Sequence, residues 1–154
     1  MPRTIQVAHS PDSDDAFMFY ALAADKLDTG ELRYVHELSD IESLNQRARR
    51  GELEVTAVSI HAYAYIWRDY ALLGSGSSMG DGYGPRLVAT RVRPADPRRA
   101  LGGLRVAVPG LLTTAYLALQ LYRPDVVPVV VPFDRIEEAA QRGDVDLGLL
   151  IHEG

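Results

Sequence analysis

The chain has 154 residues, 47% of them hydrophobic, which is enough for one ordinary domain or two small lobes around a real core. Its formal net charge of −5, with basic residues paired (Arg49-Arg50, Arg98-Arg99) rather than striped, argues against nucleic acid as a partner. Cysteine is absent, which removes disulfides and thiolate metal sites, and Asp, Arg or Pro interrupts every apolar run before the length of a membrane span, about 18 residues.

In chain order, Ile5 to Ala8 predicts a strand, SPDSDD a polar loop, and AFMFYALAAD a helix. This start has no basic region followed by an apolar run and a cleavage site, so a cytoplasmic protein is expected. Leu32, Tyr34 and Val35 suggest a second strand, DIESLNQRARRG a polar helix closed by Gly51, and VTAVS a third strand running into HAYAYIWRDY. GSGSSMGDGYGP is a linker or a ligand-facing loop, PRLVATR a further strand, and RVRPADPRRALGG a connection between lobes. A second unit follows: LRVAVP as strand, GLLTTAYLALQLYR as loop and helix, VVPVVVP as strand, DRIEEAAQRG as helix and VDLGLLI as strand. The expected organisation is a first lobe over 1–92, a connection over 93–103 and an incomplete second lobe over 104–154.

The halves match in kind. IQVAHSPDSDDAFMFYAL aligns with LRVAVPGLLTTAYLALQL, and RRGELEVTAVSIH with AQRGDVDLGLLIHE, so each half reads β-α-β-α-β. Alternating strands and helices imply an α/β fold with mainly parallel sheets, whose ligands bind beyond the carboxyl ends of the strands, here in a cleft between lobes.

His152 stands where the last strand emerges. A neutral imidazole there suits a general base, and it equally suits a histidine that caps or hydrogen-bonds a loop. Adjacent residues on an extended chain point to opposite sides, so a direct pair between Glu153 and His152 is not expected. Thr113 and Thr114 enter a helix after Pro109-Gly110, where free backbone N–H groups and the positive helix end suit an anion, and where an ordinary N-cap reads as well. Ser59 ends the strand that corresponds to that of His152, which would place it across the cleft. The carboxylates of SPDSDD, next to His9, lack EF-hand spacing; capping by Asp12 or Ser13 and the preference for acids in a first helical turn account for them, so no metal is expected. The tyrosines and Trp67 of HAYAYIWRDY read as core packing, and the glycine-rich loop carries no nucleotide motif.

Taken together, SP-x-x-x-D-x-F-x-FYAL, DIESLN, VSIHAYA, VPG-x-x-TTAY and GLLIHE resemble the menaquinone-biosynthesis enzymes of the futalosine pathway, over nearly the whole chain. The resemblance implies the fold of type II periplasmic binding proteins and a cytoplasmic carbon-carbon lyase without metal or organic cofactor. Its substrate would be a small organic anion, cyclic dehypoxanthinyl futalosine, and its product 1,4-dihydroxy-6-naphthoate. By the same resemblance His152 is the proton acceptor, Thr113 and Thr114 hold a carboxylate or hydroxyl of the substrate, and Ser10, Asn45 and Ser59 complete the polar lining. Two departures stand out. Family members carry S-P-C-P-N-D-T-F where this chain has S-P-D-S-D-D-A-F, so Asp14 and Ala16 replace an Asn and a Thr, and the added carboxylate would repel an anion. Proteins of this fold also continue further, so the chain is expected to be the N-terminal part of a longer protein, with apolar surfaces left open to self-association. The competing readings are a solute-binding protein of the same fold for a small organic anion, and the chorismate dehydratase of the same pathway.

Overall fold

A strand covered on both faces buries successive side chains, and the stretch VAH does so: Val7, Ala8 and His9 are all buried. The computed structural model describes residues 3–90 and 101–151. It divides into two units, Met1–Met79 and Gly80–Gly154. In the first, β1 (Arg3–His9), β2 (Leu32–Leu38) and β3 (Val55–Thr56) form an all-parallel sheet in the order β2-β1-β3. Helix α1 (Ser13–Ala23) links β1 to β2, and α2 (Ile41–Arg49) links β2 to β3. Successive side chains of β1 alternate between faces. Ala8 packs with Leu44 and Leu53 on the α2 side, whereas His9, on the other face, stacks on Phe19 of α1.

The α2 termini follow from their residues. Asp40 accepts a hydrogen bond from the Ser43 N–H at 2.9 Å, a side-chain cap. At the other end Gly51 takes φ +69°, its N–H reaches the Ala48 carbonyl, and the Glu52 N–H reaches that of Arg47. Those two bonds satisfy carbonyls that the helix leaves open, and the left-handed position between them favours glycine.

The third strand is shorter than VTAVS predicts. It ends at Thr56, because Ser59 is already the N-cap position of α3 (Ile60–Ile66). The aromatic segment is therefore mostly helix; Ala62 and Ile66 are its buried residues, and none of its tyrosines nor Trp67 is fully buried as core packing would have them. Tyr65 and Trp67 are exposed, Trp67 by 58%, with Arg49 over the Tyr65 ring and Arg68 over the Trp67 ring. Tyr63 and Tyr70 are half-buried and give their hydroxyls to the Tyr70 and Leu53 carbonyls.

In the second unit, β4 (Arg86–Val88), β5 (Arg105–Val108), β6 (Val127–Val130) and β7 (Leu147–Leu150) lie in the order β4-β7-β5-β6. β5 runs parallel to β6 and β7, and β4 pairs antiparallel with β7. Sequence order places Arg86–Val88 ahead of the inter-lobe connection, yet its hydrogen bonds go to this second sheet, and Leu87 packs on the second core. Of the connection expected at 93–103, residues 93–100 lie outside the described residues, and Leu101 is buried in the second core.

Helix α4 (Thr114–Tyr122) covers one face of this sheet through Ala115 and Leu119 against Val106, Val108, Leu147 and Leu149. On the other face a 3-10 turn (Phe133–Arg135) leads into α5 (Ile136–Arg142), whose Ile136 and Ala140 pack on Ala107 and Val145. Gly143, at φ +82°, closes α5 as Gly51 closes α2, with the Asp144 N–H on the Ala139 carbonyl. Pro128, which lacks an N–H, sits in the edge strand β6, where that loss is tolerated. Among the described residues no helix is long and apolar enough to cross a membrane.

Gly148 sets the distance between β7 and α5. A Cβ there would come 2.7 Å from Ile136 Cγ2 and 3.2 Å from Val88 Cγ2. Gly148→Ala is therefore expected to lower the unfolding free energy by about 1–3 kcal/mol through overpacking. Urea unfolding followed by far-UV circular dichroism measures it, and an unchanged midpoint would mean that α5 moves aside freely.

Candidate functional site

Parallel strands deliver their carboxyl ends to one edge of the sheet, so the residues after β1 and β3 share an edge in the first unit. Ser10 follows β1 and is buried. Its N–H donates to Asp15 Oδ2 at 2.6 Å and its hydroxyl to Asp12 Oδ2 at 2.7 Å. Asp12 occupies the N-cap position of α1 but makes no side-chain cap bond, contrary to the expectation of capping by Asp12 or Ser13; its carboxylate turns back to Ser10. Burial pushes the Asp15 carboxyl up from its ordinary range, against the Ser10 N–H bond that lowers it, while Asp14 and Asp12 raise it further and His9 lowers it. Asp14, the added carboxylate, is exposed and accepts from the Asp15 N–H at the positive end of α1. The carboxylates of Asp12 and Asp15 thus both turn to Ser10 and that of Asp14 to the Asp15 N–H, and among the described residues no group of three or more His, Cys, Asp or Glu is arranged to hold a metal.

Asn45 and Ser59 meet. Asn45 is fully buried on α2, its Oδ1 accepts from the Ser59 N–H at 2.9 Å, and its Nδ2 donates to the Ser59 hydroxyl at 3.0 Å. One amide thereby satisfies an orphan N–H at the start of α3 and orients a half-buried hydroxyl at the sheet edge. Any effect of Asn45 on a ligand runs through Ser59.

A histidine pair adjoins Ser10. His9 Nδ1 lies 3.0 Å from the Ser10 carbonyl oxygen, and His9 Nε2 lies 3.1 Å from His36 Nδ1. A carbonyl only accepts, so His9 Nδ1 carries the proton; in the neutral pair His9 Nε2 then accepts from His36 Nδ1–H. His36 Nε2 is left as a buried nitrogen with no hydrogen-bond partner among the described residues. Burial holds the His36 imidazole below its ordinary value of 6.5, and His9 lowers it further. Sequence reading passed over this pair. The signal for it was the parallel register, which sets His36 beside Val7, the residue two before His9 on the same face.

In the second unit Thr113 follows the loop after β5. It is buried; its hydroxyl donates to the Gly110 carbonyl at 2.9 Å and accepts from the Tyr116 N–H at 3.2 Å, capping α4. Thr114 is exposed at the first position of that nine-residue helix. Both threonines therefore sit where the positive helix end and its backbone N–H groups gather. His152 lies outside the described residues, in sequence just after β7, the strand next to β5. An open depression of about 350 Å³ elsewhere in the unit contains Arg135 and Arg142, both paired with Glu138, and none of the candidate residues.

A family model for menaquinone biosynthesis matches residues 5–154. A 1,4-dihydroxy-6-naphthoate synthase from Thermus thermophilus is 42% identical over 149 residues, which is 97% of this chain and 53% of that protein. The chain spans about half the length of the curated relatives it matches. Among solved structures, protein AF1704 from Archaeoglobus fulgidus is 52% identical with a TM-score of 0.85, over 98% of this chain and 55% of that one. The alkanesulfonate-binding protein SsuA from Xanthomonas axonopodis has a TM-score of 0.62 at 14% identity, over 97% of this chain and 55% of that one. The fold is thus that of the periplasmic binding proteins, as the sequence motifs imply.

Two outcomes test this geometry. Asn45→Ala strips the partner from the Ser59 N–H and should cost about 1–3 kcal/mol of unfolding free energy. Chemical denaturation checks it, and a loss no larger than that of Ser59→Ala would show that the amide does not hold α3. The second concerns pH. Because the folded His36 pKa is depressed, the unfolded chain takes up the proton first, so this stability is full above about 6.5 and is lost as pH falls toward the folded value. Asp15 has the opposite sign: its raised pKa means stability is lost as pH rises from 3.8 through the folded value. Urea midpoints should fall between about pH 7.5 and about pH 5.5, and His36→Asn should flatten that slope.

Proposed function

We propose, because this chain belongs to the menaquinone-biosynthesis family, that it forms the substrate-holding part of an enzyme converting cyclic dehypoxanthinyl futalosine to 1,4-dihydroxy-6-naphthoate. The observation that carries this reading is the 42% identity with the Thermus thermophilus synthase, spread over 97% of the chain. The chemistry of the residues supports it. An anionic substrate suits the start of α4, where Thr114 is exposed and the capped helix presents its N–H groups. In the first unit, taken by itself, the Ser59 hydroxyl, held by Asn45, offers an oriented polar group, and the Ser10 loop forms a wall at the same sheet edge. Every hydrogen-bonding group of Ser10 is engaged within the protein, so it shapes that wall more than it donates to a ligand.

His152 is the general base in this reading. It follows the carboxyl end of β7, and an imidazole titrates near neutral pH, where a base that is regenerated each turnover must operate. No metal or organic cofactor is required for a proton transfer of this kind. The exposed apolar side chains Phe17, Tyr20 and Leu121 support self-association of the isolated chain.

The test is product formation by the complete gene product, followed by mass spectrometry. Wild-type protein is expected to turn the substrate over, and His152→Gln to lower kcat by about 10²–10⁴-fold while KM changes little. Tight binding of the substrate by wild-type protein with no product would replace this reading with that of a solute-binding protein.

A further inference from the structure

The His9–His36 pair is used by nothing in the reading above, and it adjoins the Ser10 loop through the His9 bond to the Ser10 carbonyl. Among the described residues the hydrogen-bond partner of the His36 ring is His9 Nε2, at 3.1 Å, and not a backbone group. His9 in turn holds the Ser10 carbonyl at 3.0 Å and lies face to face with Phe19, ring centres 4.4 Å apart. Phe19 also meets His36 edge-on at 6.0 Å, so α1 closes over both rings. These contacts form a chain from β2 through β1 to the first residue of the loop at the sheet edge.

We propose that His36 is a positioning residue, acting through His9 to hold the Ser10 loop in its binding geometry, and that it does so only while neutral. The direction of the hydrogen bonds requires this. The Ser10 carbonyl accepts, so His9 donates from Nδ1 and has only a lone pair at Nε2, and that lone pair needs the His36 Nδ1–H. A proton added to the pair has one open place, the buried His36 Nε2, where no acceptor among the described residues awaits it. An imidazolium N–H buried without an acceptor is costly, and swinging the ring out to water breaks the bond to His9. The ionisable groups that face the pair do not change this outcome. From β1 there is His9 itself; from α1 there is Asp15, whose carboxylate is committed to the Ser10 N–H, with Asp12 and Asp14 beyond it. Acid therefore releases His9, and with it the Ser10 loop. The inference rests on the proposal that this loop borders the substrate.

Nitrogen-15 NMR of the histidine rings tests it in the unmodified chain. At neutral pH both His9 and His36 should carry the proton on Nδ1, and the Ser10 amide should shift as His36 titrates, with a midpoint below the ordinary imidazole value. His36→Phe should fix the Ser10 amide at its acid position and weaken substrate binding several-fold with kcat little changed. His36→Asn, which keeps a donor near the place of Nδ1, should restore both. A proton on His9 Nε2, or a Ser10 amide that ignores the His36 titration, overturns the proposal and leaves the proposed function standing. If the rings and Ser10 respond as expected but cyclic dehypoxanthinyl futalosine moves neither Ser10 nor its neighbours, the proposed site fails and takes this inference with it. The tautomer and titration measurements need no variant, so a His36→Phe protein that does not fold still leaves them to decide.

Discussion

The parallel pairing of β1 with both neighbours is the constraint on which the first unit depends. It runs over all of β1 on the β2 side, from Arg3 opposite Leu32 to His9 opposite Leu38, and then picks up Val55 and Thr56 of β3. A shift of one residue would turn His9 toward α2 and Ala8 toward α1, exchanging a ring that stacks on Phe19 for a methyl group and emptying the cluster around Leu44. The same register brings the ends of β1 and β3 to one edge, where Ser10 and Ser59 lie. The geometry of that edge is therefore tied to packing several residues away from it.

Much of this was legible from residue types because local chemistry and tertiary structure agree. Gly51 and Gly143 each follow an arginine at the end of a polar helix, and both adopt the left-handed conformation that ends one. Thr113 reads as a cap and is one. The misreadings have physical causes. Asp12 has the right type and position for a cap, but a nearer donor, the Ser10 hydroxyl, takes its carboxylate. VTAVS has β-branched residues suited to a longer strand, but Asn45 seizes the Ser59 N–H from a different element, a tertiary contact that no local propensity encodes. The His9–His36 contact is likewise invisible in composition, since it joins residues on two strands and depends on tautomers as well as distance.

The aromatic and apolar surface has a related logic. Helix α1 is apolar on most of its sides, a pattern of helices enclosed by protein, yet Asp15 is its one buried residue and Phe17 is 85% exposed. Such a helix gains little stability from its own unit. What holds it are polar ties to Ser10, the residue after β1, among them the Asp15 bond to the Ser10 N–H, together with the stack of Phe19 on His9. The loop at the sheet edge and the helix behind it are accordingly one mechanical piece.

Trp67, exposed at the end of α3, is the single tryptophan of the chain, and it belongs to the first unit. Intrinsic indole fluorescence is consequently a local reporter. It follows the loss of structure around α3, whereas backbone spectroscopy sums over both units. Denaturation curves from the two signals coincide if the chain melts as one cooperative body and separate if it does not. The placement of one aromatic side chain thus makes the cooperativity between the units directly measurable without any added label.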